Sequence, residues 1–199
     1  ILIGLFAFLL FAIIAVYLLI NHFSTKGLPE YEGEIKLTGL TDKVVVRRDA
    51  HAIPHIIASN EIDLYRATGY VMAQDRLWQM DLLRRVTLGR LSEIFGKDLV
   101  KADHTMRALR IPEKSQMVIR KTDKKILNTL EAFADGINQY IESHFDKLPP
   151  EFTILGYKPE KWKIEHSVNL LGYMAWDLTM SWESEVLLYG IQQKVDSVR

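Results

Sequence analysis

The segment Gly69-Tyr70-Val71-Met72-Ala73-Gln74-Asp75-Arg76-Leu77-Trp78-Gln79-Met80-Asp81 contains no proline, and its apolar residues follow helical rather than alternating spacing. Upstream, Ile62 and Tyr65 extend the same stripe back to Ser59 or Asn60. Either residue can accept a backbone N–H as an N-cap, with Glu61 and Asp63 well placed in the first turn. Downstream, Leu82 and Leu83 carry the stripe toward Gly89, which ends it. These residues predict one long helix, with Gly69 as the expected place for a bend. Asp75, Arg76, Asp81, Arg84, Arg85 and Glu93 crowd around Trp78. On a helix such charges ordinarily form a solvated face or pair at i,i+4, the spacing of Asp81 and Arg85.

Toward the N-terminus, residues 34–37, 43–48 and 54–58 are short β-branched runs separated by turn residues, and they predict a small antiparallel sheet. Toward the C-terminus, residues 90–95 and 98–109 predict two short helical pieces, the second stopped by Pro112. Thr122 is placed to cap a strong helix through Ile126, Leu130, Phe133, Ile137 and Ile141, whose spacing puts all five on one side. Pro149-Pro150 and Gly156-Tyr157-Lys158-Pro159 mark a structured loop, and residues 166–179 and 184–195 again have helical composition. The class is α+β, mainly helical. Helices laid out in this way normally pack on a sheet, and this chain offers few strands to cover them, so the domain reads as incomplete.

The chain has 199 residues, 25 basic and 25 acidic, and no cysteine. That balance points to no nucleic-acid surface, and the missing cysteines exclude disulfides, thiolate metal sites and a Cys nucleophile. Residues 1–20 carry no charge and consist largely of big aliphatics and Phe. At about 1.5 Å rise per residue, such a helix reaches roughly 30 Å, the thickness of a hydrocarbon core. The run is longer than a signal-peptide core and ends without a small-x-small cleavage site. The expected organisation is a transmembrane helix over residues 1–20, a linker over 21–32 broken by Gly27 and Pro29, and one incomplete domain over 33–199.

Candidate chemistry is sparse. His51 and His55 have the spacing of a helical metal pair, but in a turn and strand they stand about 13 Å apart, too far for one ion. Asp49, His51 and Ser59 suggest a triad, yet no glycine-flanked elbow surrounds Ser59, and capping explains it better. Asp177, Glu183 and Glu185 lie near Thr179, Ser181 and Ser184. A hard cation such as calcium could take one carboxylate there, although a solvated helix start reads equally well.

The order of several motifs resembles the penicillin acylase (penicillin amidase) family. They are residues 46–56 with Asp49, His51 and Ile53-Pro54-His55; residues 63–81; Arg84-Arg85; Gly89-Arg90-Leu91-Ser92-Glu93; Asp135-Gly136-Ile137-Asn138; Pro149-Pro150-Glu151-Phe152; and Met174-Ala175-Trp176-Asp177-Leu178. One departure is Ala52, where relatives commonly place Gly. The resemblance implies the α-chain part of an αββα N-terminal-nucleophile hydrolase, cut from a precursor. Its nucleophile, usually Ser, would open a β chain that is the partner of this one, and the substrate would be a small N-acyl compound. It implies no catalytic residue here, an acyl pocket lined in part by Met174 and Leu178, and one structural calcium carboxylate from Glu185, with Glu183 as the alternative. No organic cofactor is implied. Asp177 stands where some penicillin G-type members place Arg, so a penicillin G-like preference does not follow. The expected location is the outer side of a bacterial membrane, through a single span. A membrane-anchored, non-catalytic binding module of the same family is the rival reading.

Overall fold

The structure is a computed structural model that describes residues 2–26, 28–179 and 182–195. Helix α1 spans Leu2–Lys26. It runs past Ile20 into residues 21–26, and its described large apolar side chains, Phe8, Phe11 and Ile13 among them, are exposed. Among the described residues no helix is long and apolar enough to cross a membrane. The transmembrane helix expected over residues 1–20 is therefore not shown.

Two of the three expected strands form. β1 (Val45–Arg48) and β2 (Pro54–Ile57) pair antiparallel, with Val45 opposite Ile57 and Arg48 opposite Pro54. Residues 34–37 make no strand. The backbone that follows is claimed by a side chain instead: Thr38 N–H donates to Gln139 Oε1 at 2.8 Å, and Gln139 Nε2 donates back to Thr38 O at 2.9 Å. In the turn between the strands, Asp49 accepts the N–H groups of His51 and Ile53 at 2.8 and 3.0 Å. Ala52 sits there at φ 60°, the left-handed region.

Helix α2 (Glu61–Leu88) is the predicted long helix. Asn60 is its N-cap, its Oδ1 accepting the Asp63 N–H at 2.9 Å, and Gly89 closes it in the left-handed region. Its one departure from helical geometry is at Arg76 (φ −144°, ψ 25°), not at Gly69. Gly69 has a different reason to be glycine. A Cβ there would overlap the carbonyl oxygen of Phe133, and one at Gly136 would overlap that of Arg66. The two glycines let α2 and α6 (Lys124–Ser143) touch backbone to backbone.

Between them lie α3 (Ser92–Phe95), a 3-10 turn over Lys97–Leu99, α4 (Val100–Ala108) and α5 (Ile111–Lys121). Pro112 starts α5 rather than stopping its predecessor, because in a first turn the missing N–H costs nothing. The cap of α6 is Asp123, whose Oδ1 accepts the Lys125 N–H at 2.7 Å; the expected Thr122 donates its hydroxyl back to Val118 O. A short α7 (Pro150–Ile154), α8 (Ile164–Leu178) and α9 (Trp182–Gln192) follow.

The core is helix on helix. Tyr70, Ala73, Leu77 and Met80 of α2 meet Ala134, Ile137, Tyr140 and Ile141 of α6, with Leu148, Phe152 and Trp162 closing one end. Of the apolar stripe expected on α6, Ile137 and Ile141 are buried while Ile126 is 53% exposed.

Candidate functional site

The charged set that surrounds Trp78 is a solvated face only in part, with Asp75, Arg76 and Glu93 exposed. Asp81, Arg84 and Arg85 are almost wholly buried at the end of α2. Asp81 Oδ1 accepts from Arg84 Nε and Nη2 at 2.9 and 2.6 Å, and Oδ2 accepts from Arg85 Nε at 3.1 Å and the Tyr157 hydroxyl at 2.9 Å. Arg84 and Arg90 both reach Glu160, at 3.1 and 2.9 Å, while Arg85 and Arg90 both reach Glu93, at 3.0 and 2.7 Å. Three guanidinium groups thus face three carboxylates, and the Tyr157 ring lies under Arg85 at 4.5 Å. The set joins α2, α3 and the loop before α8 into one unit. A buried cluster can persist only when charge and hydrogen bonds are both satisfied, as here. For Glu93, the Arg90 hydrogen bond leads the forces that hold its carboxyl below the usual range. Burial drives the Tyr157 hydroxyl strongly up, and the Asp81 charge adds to this.

Two further buried carboxylates hold loops. Asp63 accepts the N–H groups of Thr41 and Asp42 at 3.0 and 2.8 Å and Asn60 Nδ2 at 2.7 Å. Burial raises its pKa, but these hydrogen bonds and the Arg66 charge outweigh burial and leave it lowered. Asp103 of α4 does the same for Leu91 N, Ser92 N and Ser92 Oγ, at 2.8, 2.9 and 2.5 Å. Arg48 ties the hairpin to α2 through a two-pronged contact with Asp75, at 2.9 and 2.8 Å. None of these groups is left free to act on a substrate.

No serine is armed as a nucleophile among the described residues. Ser143 Oγ lies 2.9 Å from His144 Nδ1, but it also lies 2.7 Å from Gln139 O, an acceptor its one proton suits, and no carboxylate orients His144. His55 and Asp49 are 3.3 Å apart, a local pair within the hairpin turn. Ser59 makes no cap; Asn60 does. His166 Nδ1 accepts the Lys163 N–H at 3.1 Å, and burial, helped by the Arg84 charge, pushes its pKa down to about 4. It is a neutral structural histidine.

Met174 and Leu178 lie one turn apart near the end of α8, 49% and 79% exposed, and Leu171 on the same stripe is exposed too. Glu185 lies on α9. Among the described residues no group of three or more His, Asp or Glu is arranged to hold a metal ion. The structure brings the two apolar residues onto one surface; the Glu183 side chain lies outside the described residues. What sequence reasoning missed is the reach of the ion network. Tyr157 stands 76 positions from Asp81 and Glu160 stands 76 from Arg84, and no local spacing announces such contacts.

Residues 43–199 match the family described as penicillin amidase. That match covers most of the chain. This chain belongs to the penicillin amidase family. It is 34% identical over 170 residues to the acyl-homoserine lactone acylase QuiP of Pseudomonas fluorescens, covering 85% of this chain and 21% of that protein. To the penicillin acylase 2 proenzyme of a Pseudomonas species it is 39% identical over 145 residues, covering 73% of this chain and 19% of that protein. Among solved structures, the thermostable penicillin G acylase from Alcaligenes faecalis aligns with a TM-score of 0.61 and 32% identity, covering 70% of this chain and 72% of that one. The chain thus spans about a fifth of the length of the curated relatives it matches. The fold is penicillin acylase-like and mostly helical.

Proposed function

We propose that this chain is the α-chain part of an amide hydrolase that cleaves N-acyl compounds, penicillin or cephalosporin side chains or acyl-homoserine lactones among them. The observation that carries the two-chain reading is a contrast of coverage. The match spans 72% of a solved acylase chain but only 19–21% of curated relatives, so a unit of about this size stands as a chain of its own in that structure. In the proposal, the nucleophile is a Ser at the start of a β chain from the same precursor. Its own α-amino group, with a pKa of about 7.7–8.0, serves as the base. This chain positions rather than reacts. Met174 and Leu178 offer apolar surface to the acyl group, and Glu185, or Glu183, contributes one oxygen ligand to a structural calcium.

Attachment to a membrane, with the catalytic part on its outer side, belongs to the same proposal. The uncharged run over residues 1–20 supports it.

The test uses the whole precursor. Purified protein should hydrolyse a chromogenic N-acyl anilide, and Leu178→Trp should shift its preference toward shorter acyl groups. One methylene in an apolar pocket is worth roughly tenfold or more in kcat/KM, so the shift should be at least that size. Absence of any amide hydrolysis, with N-acyl compounds still bound, would favour the non-catalytic binding module.

A further inference from the structure

The chain as a whole carries no net charge, yet residues 110–124 hold five basic and two acidic residues. Helix α5 is fixed to the body by one face, where Ile111 and Ser115 are buried. Its other faces turn Arg110, Lys114, Arg120 and Lys121 outward, and Lys124 continues the patch at the start of α6. Arg110 contacts Glu113 at 3.5 Å, both well exposed. Among the described residues, Lys114, Arg120, Lys121 and Lys124 have no ion-pair partner, whereas nearby Lys125 is paired with Glu61 at 2.9 Å. Between the cations stand two uncovered apolar side chains, Met117 at 55% and Val118 at 51% exposure. Arg110, Glu113, Lys114, Gln116, Met117 and Arg120 line a groove of about 440 Å³.

Cations on one face with aliphatic side chains among them match the boundary between lipid headgroups and acyl chains. A single-stranded nucleic-acid surface would need aromatic stacking platforms, and none stands in the patch. We propose that this basic face, Arg110, Lys114, Met117, Arg120, Lys121 and Lys124, docks on an anionic phospholipid surface. The cations meet the phosphate groups and Met117 and Val118 enter the headgroup layer. The docking rests on this patch alone, not on amide hydrolysis or on residues 1–20, and it would fix which side of the domain faces the bilayer.

This chain has no cysteine. A Met117→Cys variant of the full-length protein can therefore carry an environment-sensitive thiol dye on the patch, with labelling of the unsubstituted protein as background. Ile35→Cys, at an exposed site elsewhere, is the control. With vesicles of mixed phosphatidylglycerol and phosphatidylcholine, the dye at position 117 should shift to the blue, and the dye at position 35 should not. Raised salt should abolish the shift, and so should the combined K114Q, R120Q and K121Q changes. Each basic residue near an anionic surface is worth roughly fivefold, so losing three should lower the docked population roughly a hundredfold. The same shift with pure phosphatidylcholine, an equal shift at position 35, or no shift at all would overturn the proposal. A Met117→Cys thiol that stays unreactive in the folded protein would also overturn it, because the rest of the protein would then cover this face.

Discussion

At the scale of single residues, Ala52 and His166 show how local geometry becomes a measurable quantity. Ala52 occupies φ 60° in the hairpin turn, held by Asp49 on one side and by Arg48 Nη1 on its carbonyl at 3.0 Å on the other. A left-handed conformation costs an L-residue about 1–2 kcal/mol, partly offset by the extra chain entropy glycine would lose on folding. Ala52→Gly should therefore stabilise the protein by about 1 kcal/mol, seen as a higher urea midpoint at unchanged slope. His166 is held neutral, its pKa pushed down to about 4 from an unfolded value of 6.5. Between those values the unfolded chain binds a proton that the folded one refuses. This contribution to stability is complete above pH 6.5 and is lost as pH falls toward 4. Stability should fall between pH 7 and pH 5 by about 1–2 kcal/mol from this group. His166→Gln keeps an acceptor at the same helix position and should flatten that part of the profile, read from urea midpoints at the two pH values.

At the scale of elements, the crossing of α2 and α6 decides the architecture. Gly69 and Gly136 each face a backbone carbonyl of the other helix, Phe133 and Arg66 respectively, and backbone cannot swing aside as a side chain can. Gly136→Ala and Gly69→Ala should each cost about 3 kcal/mol or more, at the upper end of overpacking effects. Thermal unfolding of the two variants in the whole protein compares them directly. The long elements were legible because a 3.6-residue period over α2 and α6 repeats enough times to be unambiguous. The short ones were not. Pro112 reads as a stop or as a start depending on where the chain goes next, and residues 34–37 have strand composition but lack a strand to pair with.

At the scale of the whole molecule, large apolar surfaces remain uncovered. Leu171, Met174 and Leu178 on α8, Val186, Leu187, Leu188 and Ile191 on α9, and Val46 and Ile57 on the hairpin are all exposed. Uncovered patches of this kind mark interaction surfaces, and here the proposed occupant is the remainder of the precursor. Residues 1–199 alone should then bind a hydrophobic dye strongly and hydrolyse no N-acyl anilide. Co-expression with the remainder should suppress the dye signal and give turnover. Robust turnover by these residues alone, abolished by changing one of their serines, would overturn the assignment of this chain as the part without the nucleophile.

The sequence by itself determined the family, the long helices, the hairpin and the N- and C-terminal bounds of α2, because these rest on periodicity, capping residues and ordered motifs within one segment. It also identified the pairing of Asp81 with Arg85, a contact one helical turn long. Tertiary structure alone decided that this pair is buried rather than solvated. Tyr157 donates to Asp81 and Glu160 pairs with the neighbouring Arg84, each from 76 positions away, and burial of charge is a property of what packs over it. It likewise decided that Gly69 is a contact point rather than a hinge, because the carbonyl that forbids a side chain there belongs to α6, far along the chain.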